Sequence, residues 1–376
     1  MRTDGRQASG RASYRLVYPL LLGTAGIMAA ATVYVHVRYD RPILDPEGSF
    51  LGPSYVRIPV LVLLAMAVDL VPLAWWQSRG QRSALIPLMR DRWRSHWTRE
   101  RLWLVVLGVT CFYLTYVGYR NLKSDLPFVR LGSNGMPLLY DNELHKLDRV
   151  LFFGHDPSDA LQAVLGTHAA YVLSPVYLFF LPLVPVVITL WAVWSRNISY
   201  GYWFVASQCL AWALGTLSYY LLPTLGPGIA FPSEYQGLPH TSTTALMETI
   251  VDTRGRLVFG GVTNTVNSIA GFASLHTCIT LLVALMVQYT IGNRALRIAC
   301  WLYFGLVVVS TLYFGWHYLA DDIAGAAIAI ASFWLAAVCS GQRFGPDTPV
   351  PPYPRRPGAV PLWRVPLEKA GLVRRP

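Results

Sequence analysis

Charge is what this chain has least of. Asp, Glu, Lys and Arg together make up 14% of its 376 residues, against roughly 25% in soluble globular proteins, which argues against a soluble enzyme and against a disordered chain. Lysine is almost missing, since 28 of the 31 basic residues are arginine. Cysteine is sparse: Cys111, Cys209, Cys278, Cys300 and Cys339 all fall inside apolar stretches, where they read as small buried hydrophobes and exclude a disulfide framework or a cysteine metal cluster. The apolar runs do not alternate every second residue, which disfavours a membrane barrel. No internal repeat and no coiled-coil pattern is present.

What the chain has instead is apolar length. Hydrophobic residues make up 54% and mean hydropathy is +0.39. Eight stretches, at about 14–37, 56–77, 102–118, 168–194, 201–222, 269–290, 298–315 and 320–339, have the length a helix needs to cross roughly 30 Å of hydrocarbon. The expected fold is therefore an all-α polytopic membrane bundle. The net charge of +11 does not imply nucleic acid, because the basic residues cluster beside the spans. With the amino terminus in the cytoplasm, 21 basic residues fall on the cytoplasmic side and nine on the other, so the positive-inside rule places both termini in the cytoplasm. The first span lacks a small-residue cleavage site and is expected to be retained.

Four regions follow: residues 1–118 with three spans and a basic cytoplasmic loop, an outer loop 119–167, a helical core 168–340, and a tail 341–376 with nine prolines and six arginines that is expected to be disordered. In the outer loop, Leu144, Leu147, Val150, Leu151, Phe152 and Phe153 suit a helix lying in the interface, and Asp156-Pro157-Ser158-Asp159 is a helix start signal. Loop 223–268 opens with the rigid turn Pro223-Thr224-Leu225-Gly226-Pro227-Gly228.

Two histidines carry the chemical signal. His276 lies at the outer end of the sixth span, and His317 lies where the seventh meets the eighth; counting crossings puts both at one membrane face. If 316–325 begin the last helix, His317 and Asp321 form an i,i+4 pair with Cβ atoms about 5–6 Å apart. A carboxylate there fixes the imidazole tautomer and leaves the other nitrogen's lone pair free, the arrangement a nucleophilic histidine requires. His276 could then protonate a departing alkoxide. Ser274 and the first amides of the sixth span offer donors to an anion, and Arg120 and Lys123 could pair with phosphate oxygens. Either histidine alone would more commonly be an interfacial or packing residue; the shared face and the Asp321 spacing favour chemistry. Arg254 and Arg256 are weaker candidates. Asp69 lies inside the second span, where an acid is functional by default, but toward the cytoplasmic side and away from the proposed site. Asp322 could share the role of Asp321, although its position in the helix points it elsewhere.

Ala273-Ser274-Leu275-His276 and the run from Ser310 through His317 to Asp321 resemble the second and third motifs of the type 2 phosphatidic acid phosphatase superfamily, within it the branch of inositol-phosphorylceramide and sphingomyelin synthases. The resemblance covers roughly residues 220–330. It implies His317 as a nucleophile forming a phosphohistidine, Asp321 as its orienter, His276 as proton donor, and no metal or other cofactor. Thr311 stands where the third motif has arginine, and the first motif is missing; Arg120 with Lys123, or the Pro223–Pro227 turn, would replace it. The expected protein takes phosphate from a lipid phosphate or phospholipid and passes it to water or to a polyol or lipid hydroxyl, on the outer face of a membrane expected to be bacterial. Two rivals are a polyprenyl-phosphate glycosyltransferase using Asp40, Asp45 or Asp148, and a transporter, which would need polar groups at the bilayer midplane.

Overall fold

The computed structural model describes residues 16–46, 54–78, 81–195, 197–261, 266 and 271–342. The expected tail, apart from Gly341 and Gln342, and the basic residues before position 16 lie outside the described residues. Among the described residues there are helices and no strands. In chain order the main helices are α1 (Val17–Tyr39), α2 (Ser54–Ser78), α3 (Arg82–His96), α4 (Arg99–Val129), α5 (Asp141–Leu151), α6 (Pro157–Leu165), α7 (Ala169–Leu178), α8 (Phe180–Thr189), α9 (Ile198–Leu221), α10 (Ser242–Phe259), α11 (Leu275–Thr290), α12 (Arg294–Tyr313) and α13 (Leu319–Cys339).

Among the described residues, six segments are long and apolar enough to cross a membrane: Val17–Tyr39, Pro59–Ser78, Arg99–Val129, Ala169–Trp194, Arg294–Tyr313 and Leu319–Cys339; Leu275–Thr290 is a shorter apolar helix. The chain is an integral membrane protein. The remaining expected span, α9, carries Gln208 and several Ser and Tyr residues and is buried along most of its length. It is the central post, with α1, α4, α11 and α13 packed around it. Small residues let helices approach closely where burial against lipid offers no gain. A Cβ on Gly108 would lie 3.2 Å from Val205, and one on Gly325 would lie 2.3 Å from the Ser274 carbonyl, so α13 crosses directly over the start of α11.

Two expected boundaries move. The third span was expected to end near 118, but α4 continues to Val129, because protein partners take up its polar residues: Asn121 exchanges two 2.8 Å hydrogen bonds with the backbone of Leu44, and Asp125 accepts from Arg41 at 3.0 Å. Arg120 and Lys123 therefore stand on a helix and not in a loop. The fourth span is broken at Phe179 and finishes in a π-turn, Leu190–Trp194, beside Pro175 and Pro185, which each remove a ladder donor.

Candidate functional site

The connection from α12 to α13 decides where His317 stands. Gly315 adopts φ +70°; its amide donates to Leu312 O at 3.2 Å and that of Trp316 to Thr311 O at 2.9 Å, a Schellman ending that only a residue tolerant of the left-handed region closes easily. His317 follows at once and is 7% exposed. Its Nδ1 lies 3.3 Å from Asp321 Oδ2, and the same oxygen accepts the Tyr318 amide at 3.0 Å. Asp321 is fully buried, and its backbone carbonyl accepts the Ser274 amide at 2.9 Å. That bond joins the start of α13 to the start of α11.

His276 is delivered by the first turn of α11. Ser274 is its N-cap, with the hydroxyl accepting the Thr277 amide at 3.3 Å. The imidazole is clamped between Tyr177, stacked at 4.3 Å and 16°, and Phe180, at 4.1 Å, residues from either side of the α7–α8 break. Tyr177 also stacks on Trp316. The ring centroids of His276 and His317 are 6.2 Å apart, with the planes inclined at 54°. Lys123 is within electrostatic reach of His276 and lies beside the Tyr119 and Tyr219 rings. Arg120 is directed along α4, donating to the Tyr116 hydroxyl at 3.0 Å. Ser274 is fully buried and turned to Thr277. The structure thus brings together His276, His317, Asp321 and Ser274, with Lys123 nearby.

Several residues that sequence reasoning placed elsewhere form the frame. Asp322 accepts from Thr277 at 2.5 Å and from Thr311 at 2.9 Å, tying three helices at one carboxylate. Asp141 accepts from the amides of Leu225 and Gly226 and from the Tyr318 hydroxyl; burial raises its pKa, and those donors oppose the rise. Asp148 takes the Leu319 amide at 3.0 Å, and burial, together with the charges of Asp321 and Asp156, raises its pKa to about 7 against the pull of that amide. The Pro223–Pro227 turn rests on the α12–α13 loop: a Cβ on Gly226, at φ +89°, would lie 2.3 Å from the Trp316 carbonyl. Half-buried Arg254 of α10 is within electrostatic reach of Asp141, and desolvation lowers its pKa to about 10. Arg256 pairs with Asp252 at the surface.

The acids of the rival readings have other employment. Asp69 accepts two bonds from Arg92, at 2.7 and 3.1 Å, and one from Trp97 at 3.1 Å. Asp45 accepts from Tyr113 at 2.6 Å, and Asp40 ends α1 in the left-handed conformation.

Comparison with protein-family models gives a match to the PAP2 superfamily over residues 142–335, just over half of the chain. Neither the curated proteins nor the solved structures give a match.

Proposed function

The chain belongs to the PAP2 superfamily, whose membership supports a phosphatase or phosphotransferase activity, and from the neighbouring imidazoles we propose that it cleaves a lipid phosphate or phosphodiester through a phosphohistidine. The observation that carries this reading is the His317 Nδ1–Asp321 Oδ2 contact at 3.3 Å with the His276 ring 6.2 Å away. Asp321 holds a proton on Nδ1 and leaves the Nε2 lone pair free for attack. Nε2 attacks phosphorus, the phosphorus–oxygen bond to the lipid alcohol breaks, and the departing oxygen takes its proton from His276. His276 then removes a proton from water or from a lipid or polyol hydroxyl. That oxygen attacks phosphorus, the phosphorus–nitrogen bond breaks and its electron pair returns to His317. Lys123 supplies positive charge for the phosphoryl oxygens, and Ser274 sets the start of the helix that carries His276. A site beside the bilayer leaves the acyl chains in lipid while the head enters, and the low dielectric strengthens the contacts to developing charge. The inositol-phosphorylceramide synthase-like branch, with a hydroxyl acceptor, suits the missing arginine at Thr311. The active face would be extracytoplasmic.

The test is a panel of labelled lipid phosphates and phosphodiesters, with and without hydroxyl acceptors, given to purified protein. His317→Ala should abolish turnover and the base-stable, acid-labile label on protein. His276→Ala should lower kcat about 10²–10⁴-fold on an alkyl leaving group and much less on a nitrophenyl phosphate, whose leaving group needs no acid. Turnover that persists in His317→Ala sinks the proposal.

A further inference from the structure

One polar cluster stands apart from the paired histidines. His145 on α5, Asp156 at the N-cap of α6 and Glu234 in the 3₁₀ turn Pro232–Tyr235 each offer one donor atom, and these atoms lie within 4.8 Å of one another. His145 is 8% and Asp156 6% exposed. The imidazole has Nδ1 at 3.7 Å from Asp156 Oδ2 and Nε2 at 3.7 Å from Glu234 Oε1, too far for hydrogen bonds. His145 Nδ1 and Glu234 Oε2 are buried without a hydrogen-bond partner. Asp156 has the position of a helix cap yet makes no capping bond with its side chain, although an Asp there usually accepts from the second or third amide. Its carboxylate is turned to the cluster instead. Phe231 stacks on the imidazole at 4.2 Å and sets its plane. Asp159 adds negative charge, and Arg149, the nearby cation, spends its Nε on the Gly154 carbonyl.

We propose that His145, Asp156 and Glu234 bind a divalent transition metal that staples α5, the start of α6 and the 232–235 turn together. Two carboxyl groups set against each other beside a buried imidazole, even with the Glu234 side chain 32% exposed, are costly unless a cation or a shared proton joins them. A metal with bonds of about 2.0–2.2 Å holds tetrahedral neighbours about 3.3–3.6 Å apart, so side-chain movement of about 1 Å closes the cluster on such an ion. The imidazole favours zinc-like ions over calcium or magnesium, which prefer all-oxygen shells. The metal would be structural: the same elements carry Asp141 and Asp148, which hold the loops around His317, and Ser158 of α6 donates to the Tyr313 carbonyl at 2.9 Å.

Purified full-length protein, stripped with chelator in detergent, is titrated with Zn²⁺ and, in parallel, Mn²⁺, while bound metal and the unfolding midpoint are measured. One tightly held zinc per chain and a rise of several degrees are expected. The His317→Ala variant should keep both. Glu234→Gln and Asp156→Asn, which preserve size, should each weaken binding at least tenfold and lose the rise. Absence of stoichiometric metal, an unfolding midpoint indifferent to both ions, or equal binding by Glu234→Gln would overturn the proposal, the first two leaving a shared proton between the carboxyl groups as the occupant.

Discussion

At the scale of single residues, the most informative position is Thr311. In the motif that this run resembles an arginine stands there, and the threonine removes its charge. The structure gives the threonine other work, since its hydroxyl donates to Asp322 at 2.9 Å while Thr277 donates to the other oxygen. Asp322 is 4% exposed, so each donor matters: a buried acceptor stripped of a partner costs about 1–3 kcal/mol. Thr311→Val, nearly the same shape, should therefore lower the unfolding midpoint, and Thr277→Val should do so too. The double variant should lose less than the sum of the two, because both act on one carboxylate. Strict additivity would show that the two hydroxyls are not coupled through Asp322.

At the scale of elements, α5 reverses the usual amphipathic arrangement. Its buried positions include Asp141, His145 and Asp148, spaced to share one face, whereas Leu147, Val150 and Leu151 are exposed. A helix lying in the bilayer interface gains by presenting apolar residues outward, which frees its polar stripe to hold neighbouring loops. Asp148 is the member with a measurable signature. Its pKa is raised to about 7 from an ordinary value near 3.9, so its contribution to stability is fully present below about pH 4 and is lost as pH rises through about 7. Asp148→Asn keeps an acceptor for the Leu319 amide and cannot ionise. In chelator-treated protein, its stability relative to wild type should grow from pH 5 to pH 8, by at most about 2.7 kcal/mol. A difference that stays constant with pH would contradict the buried-carboxyl account.

At the scale of the whole molecule, α4 separates two polar centres. Arg101 near its start donates to Ala192 and Ser195, and Lys123 lies near its end within electrostatic reach of His276; 22 residues of helix put them about 33 Å apart. The Asp69–Arg92–Trp97 group sits at the Arg101 end, where it ties α2 to α3. Asp69→Ala should thus lower the unfolding midpoint, at a cost of about 1–3 kcal/mol, while kcat per folded molecule stays at the wild-type value. A selective fall in kcat without a fall in stability would make Asp69 part of the working site after all.

Hydropathy and spacing were enough for the all-α membrane class, for six of the long apolar segments and for the i,i+4 contact of His317 with Asp321, because these are local: helix length and a four-residue step. The same local rules found the Asp156–Pro157 helix start and missed α10, whose Thr241–Thr244 capping box sits in a polar stretch without apolar periodicity. Only the tertiary structure decided what Asp141, Asp148, Asp322 and Arg254 do, and that His145, Asp156 and Glu234 meet. Those residues are joined across tens or hundreds of positions by helix crossings such as Gly325 over Ser274, and a crossing depends on three-dimensional packing that no window along the chain contains.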